Sequence, residues 1–319
     1  MASILNEPHF QDADKAREYL ERMRWPEGVP ICPHCGSIGG HYALKGKAHR
    51  AGLWKCHDCR EQFSVTVGTV FERSKIKLNV WLQAVYLLCS SKKGMSSHQL
   101  HRTLGVTYKT AWFMSHRIRE AFKTSGGMLG GGGKVVEVDE TFYGNATPIK
   151  RIPGMRKAVG GHAHKHKIFS LVERDGAVRS FHVANVDGKT LKPILMDQLK
   201  RDSHLMTDSA SHYRNMKDKL FLSHQMVNHL AGEYSKPSKT FKGSAHTNTV
   251  ESFFGLLKRG LVGTYHHVSE AHLQRYCTEF DFRFTHRKTT DTDRANAALA
   301  QIGGKRLTYR RTNGKEATE

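Results

Sequence analysis

The stretch Val135-Val136-Glu137-Val138-Asp139 decides the fold of this chain, because it is an apolar run that ends in a carboxylate. A second apolar run, Leu205-Met206-Thr207-Asp208, ends in the same way, and a third acid, Glu251, lies in a later stretch with helical periodicity. Strand alternation places Glu137 and Asp139 on one face. Burying an unpaired carboxylate is costly, and a bound cation offsets that cost. We therefore predict that Asp139, Asp208 and Glu251 converge on divalent metal ions, which can drive in-line displacement at phosphorus.

The composition of the chain favours a nucleic acid partner. Its 319 residues include 50 Lys and Arg against 29 Asp and Glu, which gives a formal charge of +21. A basic surplus of this size attracts polyanions. Neither a signal peptide nor an apolar run of transmembrane length is visible in the sequence. We therefore expect a cytoplasmic, nucleoid-associated protein that binds double-stranded DNA and no membrane.

Two cysteine pairs predict a structural zinc site. Cys32 and Cys35 form the first CxxC pair, Cys56 and Cys59 form the second, and twenty residues separate the two. Each pair can present two thiolates from one tight turn, and two such turns complete a tetrahedron. Because cytosolic cysteines stay reduced, the clustering indicates metal rather than disulfides. Four thiolates leave no open coordination position, which argues against catalytic zinc.

A segment before residue 125 has helix-turn-helix proportions. Helices are predicted over 97–104 and 108–122, joined by a turn at Gly105-Val106-Thr107. Outside its apolar face the second helix carries basic residues, among them Lys109, Arg117 and Arg119. Either this helix enters the major groove of DNA, or the two helices pack together and expose a basic face to solvent. We favour DNA binding, with Lys109, Arg117 and Arg119 as the contacts.

A glycine-rich stretch, Ser125-Gly-Gly-Met-Leu-Gly-Gly-Gly-Gly133, divides the chain and reads as a linker. Further strands are predicted at 62–68, 135–143, 167–174, 178–186, 203–208 and 220–228, and further helices at 10–24, 188–201, 209–218, 247–261 and 269–284. The predicted domains are 1–72 (N-terminal helix and zinc ribbon), 73–125 (helix-turn-helix-like DNA-binding segment), 126–134 (linker), 135–302 (α/β catalytic domain) and 303–319 (flexible basic tail).

The helix predicted from Asn248 carries the third acid. An apolar stripe at helical spacing is formed by Val250, Phe253, Phe254, Leu257 and Leu261. Asn248, Glu251 and Lys258 share another face, so that Glu251 can reach a metal while Lys258 holds a DNA phosphate. The alternative is purely structural, because Asn248 followed by Glu251 is also a capping-box-like pair. The other acids and the charge of the chain favour the metal interpretation.

These motifs together resemble the DDE transposases of bacterial insertion sequences that carry an N-terminal zinc ribbon, the ISXO-like group. The resemblance covers nearly the whole chain, and its motifs occur in the same order. The matching stretches are Cys32-Pro-His-Cys35, Trp54-Lys-Cys56-His-Asp-Cys59, Thr66-Val-Gly-Thr-Val-Phe71, Leu104-Gly-Val-Thr-Tyr-Lys-Thr-Ala-Trp112, His116-Arg-Ile-Arg119, Val138-Asp-Glu-Thr141, Thr207-Asp208, His246-Thr-Asn-Thr-Val-Glu-Ser-Phe253 and Phe280-Asp-Phe-Arg283.

The resemblance implies a ribonuclease H-like catalytic domain, a mixed sheet flanked by helices. It implies that Asp139 and Asp208 are the first two metal ligands. The third is usually a glutamate with a basic residue two turns later, as Glu251 and Lys258 are here, although an asparagine such as Asn248 takes that place in some relatives. Lys258 and Arg259 are expected to contact DNA. The basic loop from Lys150 to Lys167 resembles a flexible DNA-contacting segment, and its His162-Ala-His-Lys-His166 run is assigned to DNA contact rather than to metal.

The predicted activity is transposition. Two Mg²⁺ or Mn²⁺ ions held by Asp139, Asp208 and Glu251 are expected to support cleavage at the ends of an insertion sequence, after which the freed 3′ hydroxyl attacks target DNA. The partners are then the terminal inverted repeats and the target, and the synapsis of two ends implies a homo-oligomer on DNA. Two alternatives remain: a DNA-binding regulator that has lost catalysis, and a nuclease that cleaves without strand transfer.

Overall fold

The computed structural model describes residues 3–124, 126–144, 162, 164–214 and 220–308. Contacts divide the chain into two units, Met1–Lys123 with Thr289–Glu319, and Thr124–Lys288. Within the described ranges, no helix has both the length and the apolar character that crossing a bilayer requires. The helices are α1 (Pro8–Gln11), α2 (Ala13–Arg24), α3 (Leu78–Ser90), α4 (Ser97–Leu104), α5 (Tyr108–Ala121), α6 (Gly188–Gln198), α7 (Ser211–Arg214), α8 (Asn248–Gly263), α9 (Glu270–Thr285) and α10 (Asp291–Ala300).

The strands form separate sheets in the two units. The first unit holds the antiparallel sheet β1-β2-β3, and the second holds a two-stranded ribbon and a five-stranded sheet. The strands are β1 (Tyr42–Ala43), β2 (Trp54–Lys55), β3 (Gln62–Phe63), β4 (Val135–Tyr143), β5 (His166–Glu173), β6 (Val178–Val183), β7 (His204–Asp208), β8 (Ser223–Val227), β9 (Lys236–Pro237) and β10 (Ser244–Ala245). The strand predicted over 62–68 is thus limited to its first two residues.

The two helices of the helix-turn-helix segment form where the sequence predicts them. The Ser96 side chain caps α4 by accepting the Gln99 N–H, and the Thr107 side chain caps α5 by accepting the Thr110 N–H. Between them Gly105 takes a left-handed φ of 64°, a conformation that glycine adopts without a steric penalty. Capping residues at both starts and a glycine at the turn therefore fix this helical pair locally.

The C-terminal helix α10 belongs to the first unit, whereas the predicted catalytic domain extends to residue 302. The Arg294 guanidinium donates to the Cys89 carbonyl of α3 at 2.9 Å. The Tyr19 hydroxyl of α2 donates to Asn296 Oδ1 at 2.5 Å. The buried side chains of Ala295, Ala298 and Leu299 complete the contact face of α10. The first unit therefore closes with residues from both ends of the chain.

The second unit is built on a mixed sheet in the order β6-β5-β4-β7-β8. Strands β4, β5 and β6 are antiparallel neighbours, whereas β7 runs parallel to β4 and β8 runs parallel to β7. One face packs on the apolar stripe of α8 and on α9, and the other packs on α6 and Tyr213. This arrangement confirms the predicted α/β fold, a ribonuclease H-like sheet flanked by helices.

The glycine-rich stretch is part of the second unit rather than a free linker. Leu129 is buried and forms an isolated parallel bridge with Leu199. The Gly130 N–H donates to Glu173 Oε2 at 2.8 Å, and the Gly131 N–H donates to Ser203 Oγ at 2.8 Å. A Cβ on Gly130 would lie only 2.1 Å from Ser203 Oγ, so this position requires glycine for space. The glycine-rich composition predicted a flexible linker, but the Gly130 and Gly131 N–H groups are hydrogen-bonded to side chains of the second unit.

Candidate active site and zinc site

The sheet brings the two aspartates to neighbouring strand ends. Strands β4 and β7 are parallel, with Glu137 in register with Met206, so Asp139 and Asp208 each lie two residues further in the same direction. Burial is the main cause that raises the pKa of Asp139 to about 8, and the negative charges of Glu140, Asp208 and Glu251 add to it. Asp208 and Glu251 are therefore close enough to Asp139 for their charges to raise its pKa.

The second aspartate is in a similar environment. Burial raises the pKa of Asp208, the charge of Glu140 raises it further, and the hydrogen bond from the Ala210 N–H opposes the shift. That bond joins the Ala210 nitrogen to Asp208 Oδ1 at 3.0 Å. Partly desolvated carboxylates that repel one another favour either a proton or a cation between them. The site is thus electrostatically suited to a divalent cation.

Glu251 lies in the first turn of α8 and is 43% exposed at its side chain. Its carboxylate accepts a hydrogen bond from Thr247 Oγ1 at 3.0 Å and lies 3.4 Å from His229 Nδ1. Among the described residues, two sets of side chains have ligand atoms within 4.8 Å of one another: the four cysteines, and His166 with His182 and Glu270. The three acids are not such a set, and the Glu251 carboxylate contacts Thr247 and His229 instead.

Glu137, a buried carboxylate for which the sequence pattern predicts no role, holds α8 against β4. Its oxygens accept the Thr249 N–H at 2.7 Å, the Thr249 hydroxyl at 2.8 Å and the Val250 N–H at 3.0 Å. Arg174 Nε donates to the same carboxylate at 2.6 Å. Capping exposed N–H groups at a helix start with a negative charge is stabilising. Glu137 therefore fixes the helix of Glu251 to the strand of Asp139.

The capping role expected of Asn248 is performed by Glu137 instead. Helix α8 begins at Asn248, and the side chain of its N-cap residue, Thr247, makes no capping hydrogen bond. Asn248 itself is exposed on the first turn. Strand alternation places Glu137 on the same face as Asp139, and this was the sequence signal that Glu137 is buried. Its partner, Thr249 of α8, is 112 residues away in the chain, so no local pattern reveals the contact.

Glu140 points to the opposite face of β4, as strand alternation predicts. Tyr213 Oη donates to its carboxylate at 2.7 Å, and His212 Nε2 lies 3.3 Å away in an ion pair that lacks hydrogen-bond geometry. Burial lowers the pKa of His212, but the attraction of the neighbouring Glu140 carboxylate outweighs it and raises that pKa overall. Glu140 thereby acts on both aspartates through its charge while it is anchored on the other side of the strand.

The four cysteines come together as the spacing predicts. Cys32 Sγ lies 3.7 Å from Cys59 Sγ, and Cys35 Sγ lies 3.7 Å from Cys56 Sγ. Zinc–thiolate bonds of about 2.3 Å in a tetrahedron place the sulfurs roughly 3.8 Å apart, so this set fits zinc. Gly36 and Arg60 follow the two pairs with φ of 77° and 64°, which gives both turns the same left-handed step. The fit supports a structural zinc site.

The predicted DNA-contacting side chains divide into exposed and buried groups. Lys109, Lys258 and Arg259 are exposed. Arg117 and Arg119 are 5% and 1% exposed, so their assignment to DNA is wrong for this conformation. Arg117 Nη2 donates to the Glu72 carbonyl at 2.6 Å and its guanidinium lies over the Trp81 ring. Arg119 Nη1 donates to Ser115 Oγ at 2.9 Å.

The exposed residues around the α4–α5 turn offer a different basic surface. Arg102 on α4 and Lys109 on α5 are both exposed, and the rings of His98 and Tyr108 stack 4.3 Å apart beside them. Tyr108 and Lys109 lie at the start of the second helix, which is the part of a recognition helix that contacts bases. Most of the predicted basic loop from Lys150 to Lys167 lies outside the described residues, which include only 162 and 164–167 of it.

Comparison with known proteins identifies two matching family models. Residues 128–285 match the model described as an ISXO2-like transposase domain. Residues 11–62 match the model described as a transposase zinc-ribbon domain. The chain is also 28% identical over 287 residues to an uncharacterized protein in the transposable element ISH50 of Halobacterium salinarum, an alignment that covers 86% of this chain and 91% of that protein.

Proposed function

This chain belongs to the ISXO2-like transposases with an N-terminal zinc ribbon, and from that premise we propose that it cuts the ends of its insertion sequence and joins the freed 3′ hydroxyl to target DNA. The reaction is phosphoryl transfer with double-stranded DNA as both substrates. It requires a site that holds divalent cations beside a surface that holds the DNA backbone.

The observation that carries this proposal is the group of acids around Asp139. The pKa of Asp139 rises to about 8 through burial and through the charges of Glu140, Asp208 and Glu251. A cluster of that kind is costly to a fold unless cations neutralise it. The donors are carboxylate oxygens, which are the ligands that Mg²⁺ and Mn²⁺ prefer. Asp139, Asp208 and Glu251 are therefore the residues proposed to hold these ions.

Each side chain of the site has a distinct part in the proposed chemistry. When bound, two divalent ions supply a lowered pKa for the attacking water or hydroxyl and charge stabilisation for the leaving oxygen. Asp139 and Asp208 supply ligands from rigid strands. Glu251 supplies the third ligand after turning away from His229, which lies 3.4 Å from it. Glu137 positions α8, because its carboxylate on β4 accepts the Thr249 and Val250 N–H groups of that helix, and Arg174 pairs with the same carboxylate.

Recognition of the element ends is assigned to the first unit. The ribbon carries the exposed residues Lys45, Lys47 and Arg50, and the helical pair carries Arg102 and Lys109. Contacts of this kind with phosphates give affinity that falls steeply with salt. On the second unit, the exposed Lys258 and Arg259 lie two turns beyond Glu251 on α8, where they are proposed to hold the DNA strand beside the acids.

A strand-transfer assay with pre-cut element ends tests the proposal. Asp139→Asn and Asp208→Asn are each expected to reduce joining by at least about a thousandfold, because each removes a ligand charge with almost no change of shape. Binding of the ends is expected to stay unchanged, since it lies elsewhere. Joining by either variant at the wild-type rate contradicts the site assignment. Nicking without joining by the wild type indicates a nuclease, and binding without either reaction indicates a regulator.

A further inference from the structure

We propose that His166, His182 and Glu270 form a binding site for a divalent transition metal ion, separate from the four cysteines and from the three acids. Their ligand atoms all lie within 4.8 Å of one another. All three residues belong to the second unit. Sequence alone favours DNA contact for the histidine-rich run that ends at His166, and the proposal reverses that assignment for His166 only.

The strand register brings the two imidazoles together. Strands β5 and β6 are antiparallel, and Ile168 lies directly opposite His182. His166 is two residues before Ile168, so it projects from the same face as His182 and is its diagonal neighbour. The two ring centroids are 5.4 Å apart. The spacing and the register therefore place two potential nitrogen ligands side by side.

Helix α9 adds the carboxylate because it is fastened to the edge strand β6. The His182 N–H donates to Gln274 Oε1 at 2.8 Å, and Gln274 Nε2 donates to the Ser180 carbonyl at 2.8 Å. Glu270 is the first residue of α9, one turn before Gln274. The Gln274 side chain, which holds α9 against β6, thus also places Glu270 beside the two imidazoles.

One imidazole lacks the partner that a buried polar group needs. His166 is only 6% exposed, and within the described part of the chain no hydrogen-bond partner reaches its Nδ1 atom. Buried polar groups are nearly always paired. A glutamate in the first turn stabilises a helix by itself, but that role does not account for two adjacent imidazoles or for the unpaired nitrogen. A metal ion satisfies all three groups at once.

The donor set selects the class of metal. Two imidazoles and one carboxylate suit zinc, iron, cobalt, nickel or manganese, whereas Mg²⁺ prefers oxygen ligands alone. Burial is the main cause that lowers the pKa of His182, with the neighbouring His166 adding to it, and this favours the neutral imidazole that binds metal.

Three protein ligands leave room for a further one. His166 and Glu270 line a cavity of about 560 Å³ that Lys258 and His267 also line, so water or an anionic oxygen can enter there.

Counting bound zinc in the full chain tests the site. The background is the Asp139→Asn, Asp208→Asn double variant, so that zinc held by the acids does not enter the count. With free zinc buffered at a low level, this chain is expected to hold two equivalents, one at the cysteines and one at the proposed site. Adding His182→Ala or Glu270→Gln is expected to remove one equivalent. Adding Cys56→Ser is expected to remove the other.

The matched control is His267→Ala, which changes an exposed histidine that lines the same cavity but is outside the cluster. It is expected to keep both equivalents. Because Glu270 is exposed, Glu270→Gln is expected to fold as the parent does, which circular dichroism checks. A parent chain that holds only the zinc of the cysteines overturns the proposal, and so does retention of both equivalents by the Glu270→Gln and His182→Ala chains. Neither result bears on strand transfer, which is measured separately.

Discussion

At the scale of single residues, the site depends on where negative charge is paired and where it is left unpaired. Glu137 is fully buried, but Arg174 and the N–H groups of Thr249 and Val250 neutralise it. Among the described residues no cation pairs in this way with Asp139, two residues along the same strand, and its pKa rises to about 8. The two acids on one face of β4 therefore have different roles: Glu137 stabilises the structure, and Asp139 is proposed to take part in the chemistry.

The choice between Glu251 and Asn248 as third ligand is also a question of single residues. Glu251→Gln is expected to abolish strand transfer, because a hard divalent ion prefers a charged carboxylate to a neutral amide. Asn248→Asp is expected to retain substantial activity, since Asn248 is exposed and makes no capping bond. A strand-transfer assay in magnesium and in manganese measures both. An active Glu251→Gln beside an inactive Asn248→Asp assigns the role to Asn248 instead.

At the scale of helices and strands, the sequence predicted the elements whose patterns are local. Strand β4 occupies residues 135–143 as predicted, and α4 and α5 begin at their predicted first residues, Ser97 and Tyr108. What it could not predict were contacts with distant partners. The burial of Arg117 depends on Trp81 and Glu72, and helix α10 was missed because its weakly apolar sequence gains stability only against α2 and α3.

The α4–α5 pair gives a prediction that separates surface from core arginines. Arg102→Ala and Lys109→Ala are each expected to weaken binding of the element ends and to reduce the salt slope by about one unit, because each removes a phosphate contact. Arg117→Ala is expected to destabilise the first unit by about 1–3 kcal/mol, since it removes the donor of the part-buried Glu72 carbonyl. Salt-dependent binding and urea denaturation measure the two effects. A stable Arg117→Ala chain that fails to bind DNA contradicts this division.

The attachment of α9 to β6 predicts a pH dependence of stability. Asp281 is fully buried and accepts the Ser180 N–H at 2.8 Å and the Ser180 hydroxyl at 2.6 Å. Burial raises its pKa to about 7. The folded chain therefore holds a proton that the unfolded chain has released above about pH 4. Stability from this group is complete below that pH and is lost as the pH rises to about 7, with a slope of at most about 1.4 kcal/mol per pH unit.

Asp281→Asn is the matched variant, because an amide can accept from the Ser180 N–H and donate to the Ser180 hydroxyl as a protonated carboxyl does. Its free energy of unfolding is expected to change less between about pH 5 and pH 8 than that of the wild type. Pulse proteolysis in urea, read on fragments from residues 124–288, measures the second unit alone. Parallel pH curves for the two chains contradict the assignment of this titration to Asp281.

At the scale of the whole molecule, the chain consists of two units whose stabilities have different origins. The second unit buries both faces of a five-stranded sheet, whereas the ribbon of the first unit has strands of only two residues. Short strands bury little apolar surface, so a small zinc module depends on its metal for folding. The domain boundaries were predicted from changes in composition along the chain. In the structure, packing joins α10 to the N-terminal residues, so the second unit ends at Lys288 rather than at residue 302.

Loss of zinc is therefore expected to unfold the ribbon and leave the second unit folded. Cys56→Ser removes one thiolate without the side effects of a chelator on other metal sites. All four tryptophans, Trp25, Trp54, Trp81 and Trp112, lie in the first unit, so their fluorescence reports on that unit only. In Cys56→Ser the emission is expected to shift toward that of exposed indole, because Trp54 lies in β2 beside the metal site. Amide hydrogen exchange over residues 124–288 is expected to match the wild type. Equal loss of protection in both units would show that they fold as one and that zinc stabilises the whole chain.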